Sequence, residues 1–141
     1  MTEDSPEDQA LVFNVTDDET LLIAVRDVID GTFGVQLQEV PGDAIGAETD
    51  LGTLFVGVMS DLIVSMELRL PGEFETTLSL LDYLNDRNAA TTFVTFSVVD
   101  EHVWVSGNVD GHPFSPNHLV RVVDFMFQAA SIVSADLDAE G

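Results

Sequence analysis

Between Leu62 and Leu70 the chain alternates: Leu62, Val64, Met66, Leu68 and Leu70 share one side, while Ser65, Glu67 and Arg69 share the other. A period of two belongs to an extended strand, whose successive side chains point to opposite faces. One face of this strand must be covered by apolar packing and the other left wet. Few other segments of the sequence restrict the fold so tightly.

The neighbouring segments extend the same pattern. Gly52 to Met59 is apolar and β-branched, and the Ser60-Asp61 step after it is short enough for a hairpin. Gly34 to Val40 alternates Val35 and Leu37 with Gln36 and Gln38, and a loop is expected from Pro41-Gly42-Asp43 onward. Further on, Phe93 to Val99 leads through Asp100-Glu101 into His102 to Asp110. There Val103, Val105 and Val109 alternate with Trp104, Ser106 and Asn108.

Three segments carry helical spacing instead. In the first, Thr16 and Glu19 make a capping box, Leu21, Leu22, Val25, Val28 and Ile29 form the stripe, and Gly31 supplies the stop. The second is expected from Glu73 to Arg87, with Phe74, Leu78, Leu81 and Leu84 on its stripe and Asn88 as its stop. The third starts at Ser115-Pro116, a capping hydroxyl followed by proline at the first helical position, and runs to Val133. Its stripe is Leu119, Val122, Val123, Met126, Ala130 and Val133. The order α-βββ-α-ββ-α with hairpin links predicts an α+β fold, an antiparallel sheet with three helices.

A chain of 141 residues suits one domain, here residues 11–134 between acidic tails at 1–10 and 135–141 that lack the apolar content to pack. The N-terminal residues have no apolar core of a secretory signal, so a cytoplasmic location is expected. Twenty-six acidic residues face four arginines and no lysine, for a formal charge of −22. Such a surface repels phosphate backbones and anionic lipid, which disfavours nucleic-acid and membrane partners. The acidity fits either adaptation to a salty cytoplasm or attraction of a basic partner.

The sequence holds little that resembles a catalytic site. Without cysteine there is no thiol catalysis and no zinc–thiolate centre, and without lysine there is no Schiff base. Gly-x-Ser-x-Gly, the phosphate-binding loop and the dinucleotide fingerprint are absent. His102, His112 and His118 lack the spacing of a metal-ligand pair. No enzymatic activity and no cofactor are expected. A small-molecule or metal sensor using His102 and His112 is the alternative, and a hydrolase with two carboxyls in one cleft is a third reading.

What remains is apolar surplus. Val120, Phe125 and Phe127 lie off the main stripe of the third helix, Leu80 and Tyr83 lie partly off that of the second, and Trp104 and Phe96 fall on the far strand faces. Either a second layer covers these positions or they form a patch for a partner. Leu80, Tyr83, Trp104, Val120 and Phe127 are the residues expected to contact a protein client.

The second half of the chain also resembles a known family. Leu81-Asp82-Tyr83-Leu84-Asn85-Asp86-Arg87-Asn88, then Thr92 to Val98, Val103 to Gly107 and the Ser115-to-Leu119 helix start are similar to the YbjN family of bacterial sensory-transduction regulators. Asn85, Asn88, Phe93 and Phe96 stand where that family carries paired asparagines before a Phe-x-x-Phe strand. The resemblance implies a fold like that of type III secretion chaperones, no catalytic residues, a protein-binding role and a homodimer. Where the family often has an Asp-Gly turn, this chain has Asp100-Glu101.

Overall fold

A computed structural model describes residues 17–40, 44–91 and 93–140, with the backbone alone at residue 140. The expected tail at 1–10 and the capping hydroxyl of Thr16 lie outside these residues. Helix α1 (Asp18–Phe33) is capped by Asp17, whose carboxylate accepts from the Thr20 N–H at 2.8 Å and the Thr20 hydroxyl at 3.0 Å. Gly31 does not stop the helix. The chain leaves it at Gly34, which takes the left-handed conformation (φ 70°) and donates its N–H to Asp30 O.

Six antiparallel strands follow: β1 (Gln38–Val40), β2 (Ala44–Thr49), β3 (Gly52–Met59), β4 (Ile63–Arg69), β5 (Thr95–Val99) and β6 (His102–Asp110). Their order across the sheet is β1-β2-β3-β4-β6-β5. The β3–β4 hairpin closes through a 3₁₀ turn, Ser60–Leu62, in which Asp61 and Leu62 have positive φ. The β5–β6 hairpin closes on Asp100 and Glu101, both left-handed at φ 53° and 66°, the backbone of a type I′ turn.

The sheet is one strand larger than the sequence suggests. Residues 41–43 lie outside the described residues, but the loop expected to continue beyond them is β2. Strand β1 is correspondingly shorter than Gly34–Val40. The Leu37 N–H donates to Asp30 Oδ1 at 3.2 Å and the Leu37 side chain is fully buried, which draws 35–37 toward α1 instead of along the sheet.

Helix α2 spans Leu78–Ala90, not Glu73–Arg87, and Thr77 caps it by accepting from the Leu80 N–H at 3.1 Å. The five residues before it run as an irregular strap tied down by Phe74 N–H to Glu101 O at 2.7 Å. The inward face also differs from the expected stripe. Leu80 and Leu84 are buried, whereas Leu78 is 80% exposed and Leu81 42% exposed.

Helix α3 (Pro116–Glu140) keeps its predicted stripe: Leu119, Val122, Val123, Met126, Ala130 and Val133 are all buried. It is also long and apolar enough, by length and composition, to cross a membrane, but here that stripe lies on the sheet. It does not end at Val133. The acidic tail expected at 135–141 is helical as far as Glu140, because Leu137 packs against the core and Asp136 accepts from the Tyr83 hydroxyl.

One face of the sheet is covered. Ile45, Leu54, Val56, Val64, Met66, Leu68, Val103, Val105 and Val109 turn toward α1 and α3 and share their core. Burial of each such side chain contributes roughly 1.5–3 kcal/mol. The helix α3 comes close to β6 because position 107 is glycine: a Cβ there would sit 2.8 Å from Val122 Cγ1 and 3.2 Å from Met126 Sδ. The other face of the sheet, carrying Phe55, Glu67, Arg69, Trp104 and Asn108, remains partly or fully exposed.

Candidate functional site

Two features meet at Phe55. The first is a platform on the uncovered sheet face. Arg69 and Trp104 are cross-strand partners on β4 and β6, and Phe55 lies on β3 one strand further along. The Phe55 and Trp104 rings are 5.9 Å apart, and the Arg69 guanidinium lies 5.7 Å from one and 5.9 Å from the other. Those distances suit cation–π attraction. Among the described residues the buried Trp104 indole N–H finds no acceptor.

The second feature is a cleft of about 900 Å³ at the β1 end of the sheet, walled by Phe33, Val35, Leu51, Phe55 and Phe127. Phe33 and Phe127 meet edge to face at 5.4 Å. Glu39, Glu48 and Asp50 also line it, and no arginine does. The Glu48 carboxylate is held in place by the Thr53 hydroxyl, 3.0 Å from each of its oxygens.

The five residues expected to contact a client do not form one patch. Leu80 is core, at 8% exposure, because α2, which begins five residues later than expected, packs on β5 with the Leu80 and Leu84 side inward. Tyr83 is half-buried and reaches Asp136 on α3. Val120 is half-buried on α3. Trp104 lies in the platform and Phe127 in the cleft, joined through Phe55. Phe96, weighed as either core or patch, is buried.

Phe55, Phe33 and Glu48 were not singled out from the sequence. Phe55 sits between Leu54 and Val56 in the apolar stretch Leu51 to Val58, where no alternation shows, and its face becomes clear only from the pairing with Glu67. Glu48 lay in the expected loop.

Among the described residues no three His, Asp or Glu side chains converge as metal ligands, and no charged or polar side chain is fully buried. A general acid needs a carboxyl in an apolar pocket to raise its pKa. The His102 Nδ1 lies 3.1 Å from Gly72 O, and His118 packs edge to face on Phe93 at 6.3 Å.

Comparison with known proteins agrees with this architecture. The fold superimposes on the crystal structure of YbjN from E. coli with a TM-score of 0.65, covering 84% of this chain and 92% of that one at 16% identity. No curated protein matches the sequence. The family described as T3SS (YopN, CesT) and YbjN peptide-binding chaperone 1, TY-Chap1, matches residues 19–141. That family is one of chaperone-like, non-enzymatic peptide-binding domains. With most of its length matched, from the first turn of α1 to the last residue, the chain belongs to the TY-Chap1 family.

Proposed function

We propose that this domain holds a polypeptide client in a bacterial cytoplasm, using the apolar tract that runs from the cleft across Phe55 to Trp104. The observation that carries this reading is a run of aromatic side chains from α1, α3, β3 and β6: Phe33, Phe127 and Phe55 line the cleft at the β1 end, and Phe55 continues to Trp104 two strands further across the uncovered face. Aromatic residues contribute large contact area at low entropic cost, and they dominate the energetics of protein interfaces. The acidic surround keeps the tract soluble and repels other acidic proteins.

Trp104 is the only tryptophan, so its emission reports occupancy of the tract directly. Addition of a permanently unfolded polypeptide is expected to shift that emission. Phe127→Asp and Phe55→Ser should weaken the response while keeping a cooperative melt. Binding that survives both substitutions in folded variants rules this tract out. Unfolding of Phe127→Asp alone would leave Phe55→Ser to decide.

Self-association has its own support. Leu78, Leu81, Phe93 and Ile132 are 80%, 42%, 50% and 47% exposed, all on α2, α3 or the link after α2. A homodimer through this side would leave the cleft free. Sedimentation over a range of concentrations tests it, and a strict monomer removes it.

A further inference from the structure

We propose that the uncovered face of the sheet seats an amphipathic client helix that carries one acidic residue for Arg69 and, two turns along, one lysine or arginine for Glu48. The inference rests on the client-binding reading above and adds the charges and the spacing by which a client segment is chosen.

Glu48, Thr53, Arg69 and Trp104 stand in one row across β2, β3, β4 and β6, each paired with the next. Thr53 therefore separates the two charges. Neighbouring strands lie about 4.8 Å apart, so Glu48 and Arg69, two strands from each other, are about 10 Å apart. Each is held by something other than an ion pair. The Thr53 hydroxyl lies 3.0 Å from both Glu48 oxygens, and the Arg69 guanidinium sits against the Phe55 and Trp104 rings. Among the described residues neither charge has an ion-pair partner, and Glu67, on the same strand face as Arg69, is exposed.

Stacking uses the faces of the guanidinium and leaves its in-plane N–H donors unspent. Those donors match a carboxylate. Pairing beside two aromatic rings is stronger than in open water, because the local dielectric is lower. The field of a chain carrying −22 repels clusters of acid, so the carboxylate must come alone, on a segment that is otherwise neutral or basic. A base placed for Glu48 offsets the remaining repulsion.

The spacing selects a helix. Positions i and i+7 of an α-helix lie on one side, about 10.5 Å apart. An extended strand spans a similar distance in three residues, which puts the two side chains on opposite faces. Positions i+3 and i+4 of the helix project to the same side and fall between the charges, over Thr53 and the neighbouring Phe55. Acid toward the N-terminus and base toward the C-terminus is also the order that the helix dipole favours. Beside the row, Gly46, Gly57, Ser65 and Ser106 on the same face are small, which lets a helix approach the sheet. The row lies next to the β2–β3 turn, at the far end of β2 from Ala44. A second copy of this chain is a poor occupant, because it brings a further −22.

The test uses the full chain and alanine-based helical peptides of about 18 residues. The reference peptide has glutamate at i, leucine at i+3 and i+4, and lysine at i+7; a second exchanges the lysine with the leucine at i+4. Affinities are read from Trp104 emission and entered in double-mutant cycles, which cancel the long-range field of the chain. Arg69→Gln combined with replacement of the peptide glutamate by glutamine should show a coupling of about tenfold. Glu48→Gln combined with replacement of the peptide lysine by glutamine should show about threefold, since Glu48 is exposed. The exchanged peptide should bind about tenfold more weakly than the reference. If Arg69→Gln loses its cooperative melt, Arg69→Lys, which keeps the charge without the planar fork, decides by the same cycle. Additive effects at Arg69 overturn the carboxylate receptor, and equal affinity for the exchanged peptide overturns the helical spacing. A wild type that sediments as a dimer beside an Arg69→Gln variant that sediments as a monomer gives this face to a second copy instead. Binding of a permanently unfolded polypeptide with no coupling at Arg69 removes this inference and leaves the client-binding reading standing. Failure of every polypeptide to bind removes both.

Discussion

The side-chain amide of Asn88 clasps the main chain of Phe96: its Nδ2–H donates to Phe96 O at 3.0 Å, and the Phe96 N–H donates to its Oδ1 at 2.6 Å. This contact ties the last turn of α2 to the outer edge of β5, where no strand among the described residues satisfies those groups. Only a primary amide side chain both donates and accepts in this way. An asparagine that reads as a helix terminator is therefore also a one-residue substitute for a missing strand.

Replacing Asn88 should be costly for that reason. Asn88→Ala leaves both Phe96 groups unpaired, while Asn88→Asp keeps an acceptor but sets a carboxylate against a carbonyl oxygen. Each is expected to lower stability by about 1–3 kcal/mol in denaturant unfolding. Unchanged midpoints would remove the clasp as a contributor.

The turn between β5 and β6 should respond in the opposite direction. Glu101 holds a left-handed backbone at φ 66°, which costs a side-chain-bearing residue about 1–2 kcal/mol and glycine almost nothing. Glu101→Gly is expected to stabilise the fold by about 1 kcal/mol after glycine's entropic loss. Glu101→Gln, which removes the same charge without easing the backbone, separates strain from electrostatics. If both variants gain equally, charge is the cause.

Two glycines on the core side of the sheet should differ in whether they can be rescued. Gly107→Ala presses on Val122 and Met126 side chains and should cost about 1–3 kcal/mol, part of which Val122→Ala restores in a double variant. At Gly111 a Cβ would lie 2.5 Å from the Leu62 carbonyl oxygen, besides colliding with Leu21. Trimming Leu21 cannot relieve a clash with backbone, so Gly111→Ala should stay destabilised in the Leu21→Ala background. Equal rescue at both sites would contradict this picture of the helix–sheet contact.

Acid should weaken the start of α1. The Thr20 N–H and hydroxyl hold the Asp17 carboxyl below its ordinary pKa of 3.8. A carboxyl depressed in the folded state contributes stability above its unfolded value, and that contribution is lost as pH falls through the folded value. The melting-temperature gap between the wild type and Asp17→Ala should hold steady from neutral pH to about pH 5, then narrow below 3.8. A gap that widens on acidification would contradict the cap.

The parts of this fold that are legible in sequence are those with strong periodicity. The Leu62–Leu70 alternation, the valines of β6 and the stripe of α3 each specify a face, since one residue of slippage would put every apolar side chain in water. The α+β class, the antiparallel sheet and the three helices follow from such segments alone. The lack of cysteine and lysine likewise limits the chemistry before any coordinate is known.

Tertiary structure decided the rest, where local signals were weak or conflicting. Strand β2 is rich in glycine and alanine and has no propensity of its own; it forms because β3 offers it a paired edge and Gly46 fits closely against the Leu54 carbonyl and Phe55. Leu80 exchanged roles with Leu78 because packing against β5, not the apolar pattern alone, decided which side of α2 turned inward. The helical extension beyond Val133 depends on Leu137 and on Tyr83 reaching Asp136 from another helix. The cleft itself arises from a disagreement between neighbours, as Asp30 draws Leu37 off the sheet while β2 runs on to Thr49. Periodicity fixes which way a side chain faces along its own segment, but a site between segments exists only once long-range pairing has placed them together.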